Sequence, residues 1–271
     1  MGLREEVISV ALGEKVDLVG VARVKDIELA YPPRPAEDLL PGAKTAVVFA
    51  GAVLWGALNC PRGTKGAIKD AQVAYDRIQN AAAAVGRFLE GRGFACYFPP
   101  ASMPTDAYKH KGTTYFAAEW SHRQVAIAAR MGVKGRNNLL ITPQYGPRVR
   151  LGSVLTTAEI EPTEYDLSED LCNDCKKCVE ICPVRALSTD PNHMPRLNQP
   201  LCKNHYARPY MDRNTWQTVK NMFTVECFAV NGVQVLMEGY HFSCAECQRV
   251  CPRGSLLQAA PIKKTRTAKS K

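Results

Sequence analysis

Four cysteines in the order Cys172-x2-Cys175-x2-Cys178-x3-Cys182-Pro183 bring three thiolates close enough to wrap a single iron–sulfur cubane. The wider last gap and Pro183 turn the fourth thiolate toward a second cluster. A tetrahedral zinc site needs only four ligands, commonly as two separated pairs, so this tight run reads as iron–sulfur. A second run, Cys244-x2-Cys247-x3-Cys251-Pro252, is one ligand short, because a full copy would start at position 241, where His241 stands. Crossed ligation then gives Cys172, Cys175, Cys178 and Cys251 to one [4Fe–4S] cluster, and Cys182, Cys244 and Cys247 to the other. The eighth ligand falls to Cys202 or Cys227, with His241 as an outsider. A remote thiolate is the usual solution, and Cys202 is preferred. Such clusters move single electrons.

The rest of the composition agrees with metal ligation. Nine of the eleven cysteines lie between Cys172 and Cys251, whereas an exported disulfide scaffold is small and spreads its cysteines along the chain. Cys60 and Cys96 stand apart and read as buried structural thiols. Met1-Gly2-Leu3-Arg4-Glu5-Glu6 opens no basic region leading into an apolar core, so no secretory signal is expected. The longest apolar run, Thr45 to Leu58, is broken by Gly51, Trp55 and Gly56 and is too short to span a bilayer. A cytoplasmic protein with no membrane association is expected. Two oxidised cubanes with their thiolates, each about −2, bring the formal charge of +9 to about +5, which weakens any argument for nucleic acid. The basic residues from Lys263 to Lys271 read as a solvated, disordered tail over 261–271, with contact to RNA as the rival reading.

Stepping outward to the elements, Val7–Leu12 reads as a short helix and Val16–Ala22 as a strand. Tyr31–Pro35 is a stiff proline loop, and Thr45–Ala50 a buried strand. Ile68, Ala71, Ala74, Ile78, Ala82, Val85 and Leu89 keep a helical period over Ala67–Glu90. A strand at Phe94–Phe98, a helix at His122–Met131 and strands at Leu139–Thr142 and Val149–Thr156 follow. This alternation predicts an α/β domain over 1–160. A polar linker at Ile160–Asp170 then leads into the cluster module, 161–260. No G-x-G-x-x-G and no G-x-x-x-x-G-K-[ST] occurs, so a Rossmann site or phosphate loop is unsupported.

The stretch between Gly135 and Cys182 is more specific. Gly135-Arg136-Asn137-Asn138-Leu139-Leu140-Ile141-Thr142-Pro143-Gln144-Tyr145-Gly146-Pro147-Arg148-Val149-Arg150-Leu151, then Val154-Leu155-Thr156, leads into the first cysteine run. Leu39-Leu40-Pro41-Gly42-Ala43-Lys44 runs into an apolar strand. Together these resemble the epoxyqueuosine reductase and reductive dehalogenase superfamily over roughly residues 15–258. The resemblance implies a nitroreductase-like α/β/α sandwich holding a base-off cobalamin, followed by a bacterial-ferredoxin-like module with two [4Fe–4S] clusters. It implies electrons passed one at a time to cobalt, a two-electron reduction of an organic substrate, and a proton from an acidic side chain. The family's eighth cluster ligand lies soon after the first run, the place of Leu201-Cys202-Lys203-Asn204-His205-Tyr206, which reinforces Cys202. The resemblance sets Asn137, Thr142, Pro143, Tyr145 and Gly146 beside the cofactor, flanked by Arg148 and Arg150.

Read from the residues alone, Thr142–Gly146 is a turn whose proline and glycine expose backbone amides. Arg148 and Arg150 alternate onto one strand face and suit corrinoid amides, phosphate or an anionic substrate. A plain strand-to-strand turn and a solvated face account for the same residues. No Asp-x-His-x-x-Gly motif occurs, which argues against a histidine-ligated corrinoid.

The pattern departs from the family in three places. Epoxyqueuosine reductases carry Asp-Ser/Thr-Ala-Pro before the helix that leads into the glycine turn, and counting back from Gly132 brings that acid to Phe116. Tyr115 is adjacent, and a tyrosine is the proton donor in reductive dehalogenases. Asp106 and His122 are the other candidate donors. Neither the helical repeats that help hold tRNA nor the dehalogenase export leader is matched, so a compact relative is expected. Its substrate would be a small molecule or nucleoside, with tRNA lacking a dedicated domain. Reduced ferredoxin or flavodoxin is the expected electron donor. Two rivals stand beside this reading: an electron-transfer partner without its own catalytic cofactor, and a flavin in place of the corrinoid.

Overall fold

The computed structural model describes residues 2–28, 34–60, 65–101, 106–110, 113–165, 167, 171–173, 175–188, 197–206 and 244–254. Cys227, His241, most of the proline loop and the basic tail lie outside them.

Helix α1 (Leu3–Gly13) leads into strand β1 (Leu18–Arg23), followed by β2 (Thr45–Ala52) and the single turn α2 (Trp55–Leu58). The long helix α3 (Lys65–Glu90) crosses to β3 (Cys96–Tyr97), and a hairpin follows, β4 (Asp106–His110) and β5 (Thr113–Ala117). Then come α4 (His122–Ala128), a small hairpin of β6 (Val133–Lys134) and β7 (Leu140–Ile141), and the strand β8 (Val149–Thr156). The first cysteine run carries α5 (Lys177–Glu180), the second carries α7 (Glu246–Arg249), and α6 (Gln199–Tyr206) lies between them in the chain.

The main sheet has the order β1-β2-β8-β3, and each neighbouring pair is antiparallel. Strand–helix alternation would ordinarily announce a parallel sheet. Here α3 does join two strands running the same way, β2 and β3, but β8 is inserted between them and pairs with both.

Side-chain alternation sends Val19, Val21, Val47, Phe49 and Val154 to one face, against Val7 and Ala11 of α1 and Ile78, Val85 and Leu89 of α3. Ala22, Ala46, Val48, Ala50 and Leu155 face the other way, against Val125, Ala126 and Ala129 of α4. Strand β2 is buried on both faces, so it reads as one apolar run rather than an alternating one. Helix α3 lies close to the sheet because Gly152 faces it: a Cβ there would sit 2.4 Å from Ile78 Cγ2. No described helix is long and apolar enough to cross a membrane.

The expected linker is tied down in its first half. Ile160 is buried. Thr163 N donates to Val21 O, Val21 N donates to the Thr163 hydroxyl, and that hydroxyl donates to Ala129 O; the Tyr165 hydroxyl donates to Val19 O. The segment therefore runs along the free edge of β1, supplying donors and acceptors that an edge strand otherwise leaves to water.

Candidate metal centre

The second cysteine run is anchored to the sheet by three buried contacts. Arg148 precedes β8 rather than lying in it, and its buried guanidinium donates from Nε to Gly254 O at 2.7 Å and from Nη1 to Val53 O. Asn137 Nδ2 donates to Cys247 O at 3.3 Å, and Gln248 Nε2 donates to Pro147 O at 3.1 Å. Gly146 makes the close approach possible. It holds φ +55°, and a Cβ on it would fall 2.5 Å from the Arg253 carbonyl.

The loop therefore docks the Cys251–Gly254 turn, and its amides are not turned outward as the sequence leads one to expect. Thr142 N and Gly146 N exchange bonds with each other's carbonyls, and Tyr145 N donates to Thr142 Oγ1. Pro143 sits partly buried in the same turn. Arg148 is buried and Arg150 half-buried, the first near Asp70 and the second beside Tyr75, both on α3.

Around this anchor the thiols fall into two groups. Cys172, Cys175 and Cys251 all act electrostatically on Cys178. Cys182 and Cys244 act on Cys202; Cys202 and Cys244 act most on Cys247, followed by Cys178 of the first group and Cys182. The segment Leu187–Leu197 closes by a bridge, and Asn198 N donates to Ala186 O at 2.7 Å. That closure carries α6, and Cys202 with it, up to the end of the first run. Helix α5, bearing Cys178, lies against α7, bearing Cys247. Lys176 and Arg185, on either side of that turn, hold left-handed conformations at φ 59° and 51°.

The donor set fits iron–sulfur chemistry. Burial, then the neighbouring sulfurs, push the Cys247 thiol up to about 12, and the same two causes push Cys178 and Cys202 up to about 11. Bare thiolates so crowded repel one another, and a cationic metal core supplies the missing compensation as the protons leave. Backbone amides already point at the sulfurs: Arg136 N donates to Cys172 Sγ at 3.4 Å and Ala186 N to Cys182 Sγ at 3.3 Å. Such bonds are among the features that tune cluster potentials. A cavity lined by Cys172, Cys175, Cys178 and Cys251, with Ile141 and Leu171 as its apolar wall, lies inside the first group. Among the described residues no three His, Cys, Asp or Glu side chains converge as tightly as one metal ion requires.

The comparisons with known proteins fit this arrangement. Residues 165–188 match the family model described as a 4Fe-4S binding domain. An epoxyqueuosine reductase from Listeria monocytogenes is 30% identical over 132 residues, 47% of this chain and 28% of that protein. A tetrachloroethene reductive dehalogenase from Dehalobacter restrictus is 33% identical over 130 residues, 47% of this chain and 21% of that protein.

The chain is related to the epoxyqueuosine reductases and the reductive dehalogenases.

Both relatives are named reductases, and the matches span under a third of either one's length. The fold agrees. A crystal structure of a selenomethionine-labelled epoxyqueuosine reductase superposes with a TM-score of 0.61 at 21% identity, covering 93% of this chain and 65% of that one. A reductive dehalogenase structure described as suggesting a mechanism for B12-dependent dehalogenation gives 0.53 at 15% identity, covering 86% and 36%.

The candidate proton donors are placed unequally. His122 is buried, with Nδ1 2.8 Å from Ser153 Oγ and Nε2 3.1 Å from Pro100 O. A carbonyl only accepts, so Nε2 carries the proton and Nδ1 receives the serine hydroxyl. Both nitrogens are occupied in pinning α4 to β8, and burial holds the imidazole below its ordinary pKa, favouring the neutral ring. Asp106 and Tyr115 lie on the β4–β5 hairpin. Its register pairs Asp106 with Ala117 and Tyr108 with Tyr115. Helix α6 lies beside β5.

One pair escaped the sequence reading. The Tyr97 hydroxyl donates to Glu119 Oε1 at 2.5 Å, joining β3 to the segment just past β5. The two are 22 residues apart in unremarkable surroundings, and only the tertiary fold brings them together.

Proposed function

We propose that the chain is an iron–sulfur oxidoreductase that relays electrons through two [4Fe–4S] clusters to reduce an organic substrate. The observation that carries this is the pair of thiol groups drawn from three separate stretches: Cys172, Cys175, Cys178 and Cys251, and Cys182, Cys202, Cys244 and Cys247. When bound, such clusters supply one-electron carriers. The chain's own residues order the path. Cys175 is exposed while Cys247 is the more deeply set, so electrons enter at the first group and leave from the second.

Cobalamin as the electron acceptor is the finer part of the proposal, and it rests on the relatives, including the B12-dependent dehalogenation in the neighbour's description. The loop expected to cradle it does not fit that task. Thr142, Gly146, Arg148 and Asn137 are spent on docking the second cysteine run. No step is therefore routed through the corrinoid. The substrate is a modified nucleoside or an organohalide, after the two relatives, and the proton is assigned to Asp106 or Tyr115 on the β4–β5 hairpin. A nitroreductase-like origin for the three-layer sheet belongs to the same proposal.

A second reading is favoured by that engaged loop: the chain passes electrons to another protein that holds the corrinoid or a flavin. Anaerobic purification, incubation with cobalamin, and assays of cobalt, flavin and the absorption spectrum separate the two. Stoichiometric cobalt supports the first. Iron–sulfur absorption with no retained cobalt overturns the corrinoid and supports the relay, and an isoalloxazine spectrum replaces the corrinoid with flavin.

A further inference from the structure

We infer that the face around Cys175 is a docking surface for a small acidic protein that carries one electron at a time. The inference rests on the iron–sulfur reading above and names the partner and the place where it sits. Among the ten described cysteines only Cys175 is exposed. Electron tunnelling falls steeply with distance, and among the described residues this edge offers a donor the most open approach. The exposed residues here are Lys176, Lys177 and Arg185, with Ile181 between them at 43% exposure and Pro183 beside it. Glu180 is the acidic neighbour on the same turn.

A small apolar centre inside a charged rim is the make-up of a transient encounter site. The charge of the rim selects the partner. The described residues lining the cavity of the first thiol group include Arg136, Lys176, Lys177 and Arg253 and no acid. A thiolate-ligated cluster is itself anionic and repels an acidic carrier. A basic collar offsets that charge, and Arg185 extends it outward beyond the cavity. Complementary charge raises the encounter rate and fixes the approach more than it tightens the complex.

The test uses the full chain with its clusters in place and a reduced acidic [2Fe–2S] ferredoxin as probe, with bleaching of the chain's clusters followed by stopped flow. The wild-type rate should fall about tenfold or more as the Debye length is cut from about 10 Å to about 3 Å with salt. The triple variant Lys176→Glu/Lys177→Glu/Arg185→Glu should lose about tenfold at low salt and show a flattened salt dependence. Binding of the oxidised ferredoxin, measured by calorimetry, should weaken in parallel. A control triple, Lys25→Glu/Arg77→Glu/Arg87→Glu, changes net charge equally on exposed positions elsewhere and should keep the wild-type rate. Reduced methyl viologen, a small cation, should bleach all three proteins.

Equal loss in both triples would overturn the docking surface in favour of bulk charge. So would a wild-type rate in the Lys176/Lys177/Arg185 variant. If methyl viologen bleaches nothing in the wild type, the iron–sulfur reading itself falls and takes this inference with it.

Discussion

Arg148 and Cys202 are the two residues on which the centre leans most. The Arg148 guanidinium satisfies Gly254 O and Val53 O in a buried position. Arg148→Met leaves both carbonyls without that donor, at a cost on the order of 1–3 kcal/mol each. The urea midpoint should drop and the clusters should lose iron faster in air; an unchanged midpoint would remove Arg148 from the anchor. Cys202 has the opposite character, since its cost is chemical. Cys202→Ser should lower bound iron by about four per chain while Cys227→Ser leaves it unchanged, and the reverse result would move the eighth ligand to Cys227. Glu119 makes a third case. Its bond to Tyr97 pushes the phenol up to about 12, so Glu119→Gln should bring that ionisation back toward 10 in an ultraviolet pH titration. No movement would mean that the carboxylate does not hold the phenol.

Among the elements, those with a strong period were plain in the residues. Helix α3 buries Ala71, Ala74, Ile78, Ala82, Val85 and Leu89 as its spacing requires, and β2 and β8 lie where their apolar runs put them. The β4–β5 hairpin was not legible, because Asp106–His110 has no apolar alternation and owes its form to its partner strand. Helices α5 and α7 are each four residues long, too short for propensity to declare them. Helix α4 shows how a residue of suggestive type becomes structural. His122, proposed from its type alone, spends both nitrogens on Ser153 and Pro100. Its folded pKa lies below that of the unfolded chain, so its contribution to stability is complete above about 6.5 and is lost as pH falls through the folded value. Wild type should therefore lose urea stability on acidification below about 6.5, and His122→Gln should show a shallower loss over that range. Identical slopes would show that another group governs it.

At the scale of the whole molecule, arithmetic on spacing assigns seven of the thiols, since a cubane restricts which cysteines can share it, and leaves the eighth place to Cys202 or Cys227. The α/β character was likewise readable, but the antiparallel order was not, because nothing local reports that β8 enters between β2 and β3. The expectation of open amides in one loop failed for a related reason. Thr142–Gly146 has the composition of an open turn, yet its amides close on one another and its glycine accommodates the Arg253 carbonyl, a contact made over more than a hundred residues of chain. The sheet and the second cysteine turn are thus one assembly, in which Asn137, Arg148 and Gln248 fix that run against the segment leading into β8.

That assembly has one purpose in this account, to place two iron–sulfur clusters side by side. The most direct measurement is iron and acid-labile sulfide per chain in protein kept anaerobic from lysis onward. Two clusters predict about eight of each. About four of each, or zinc in place of iron, would contradict the account at its base.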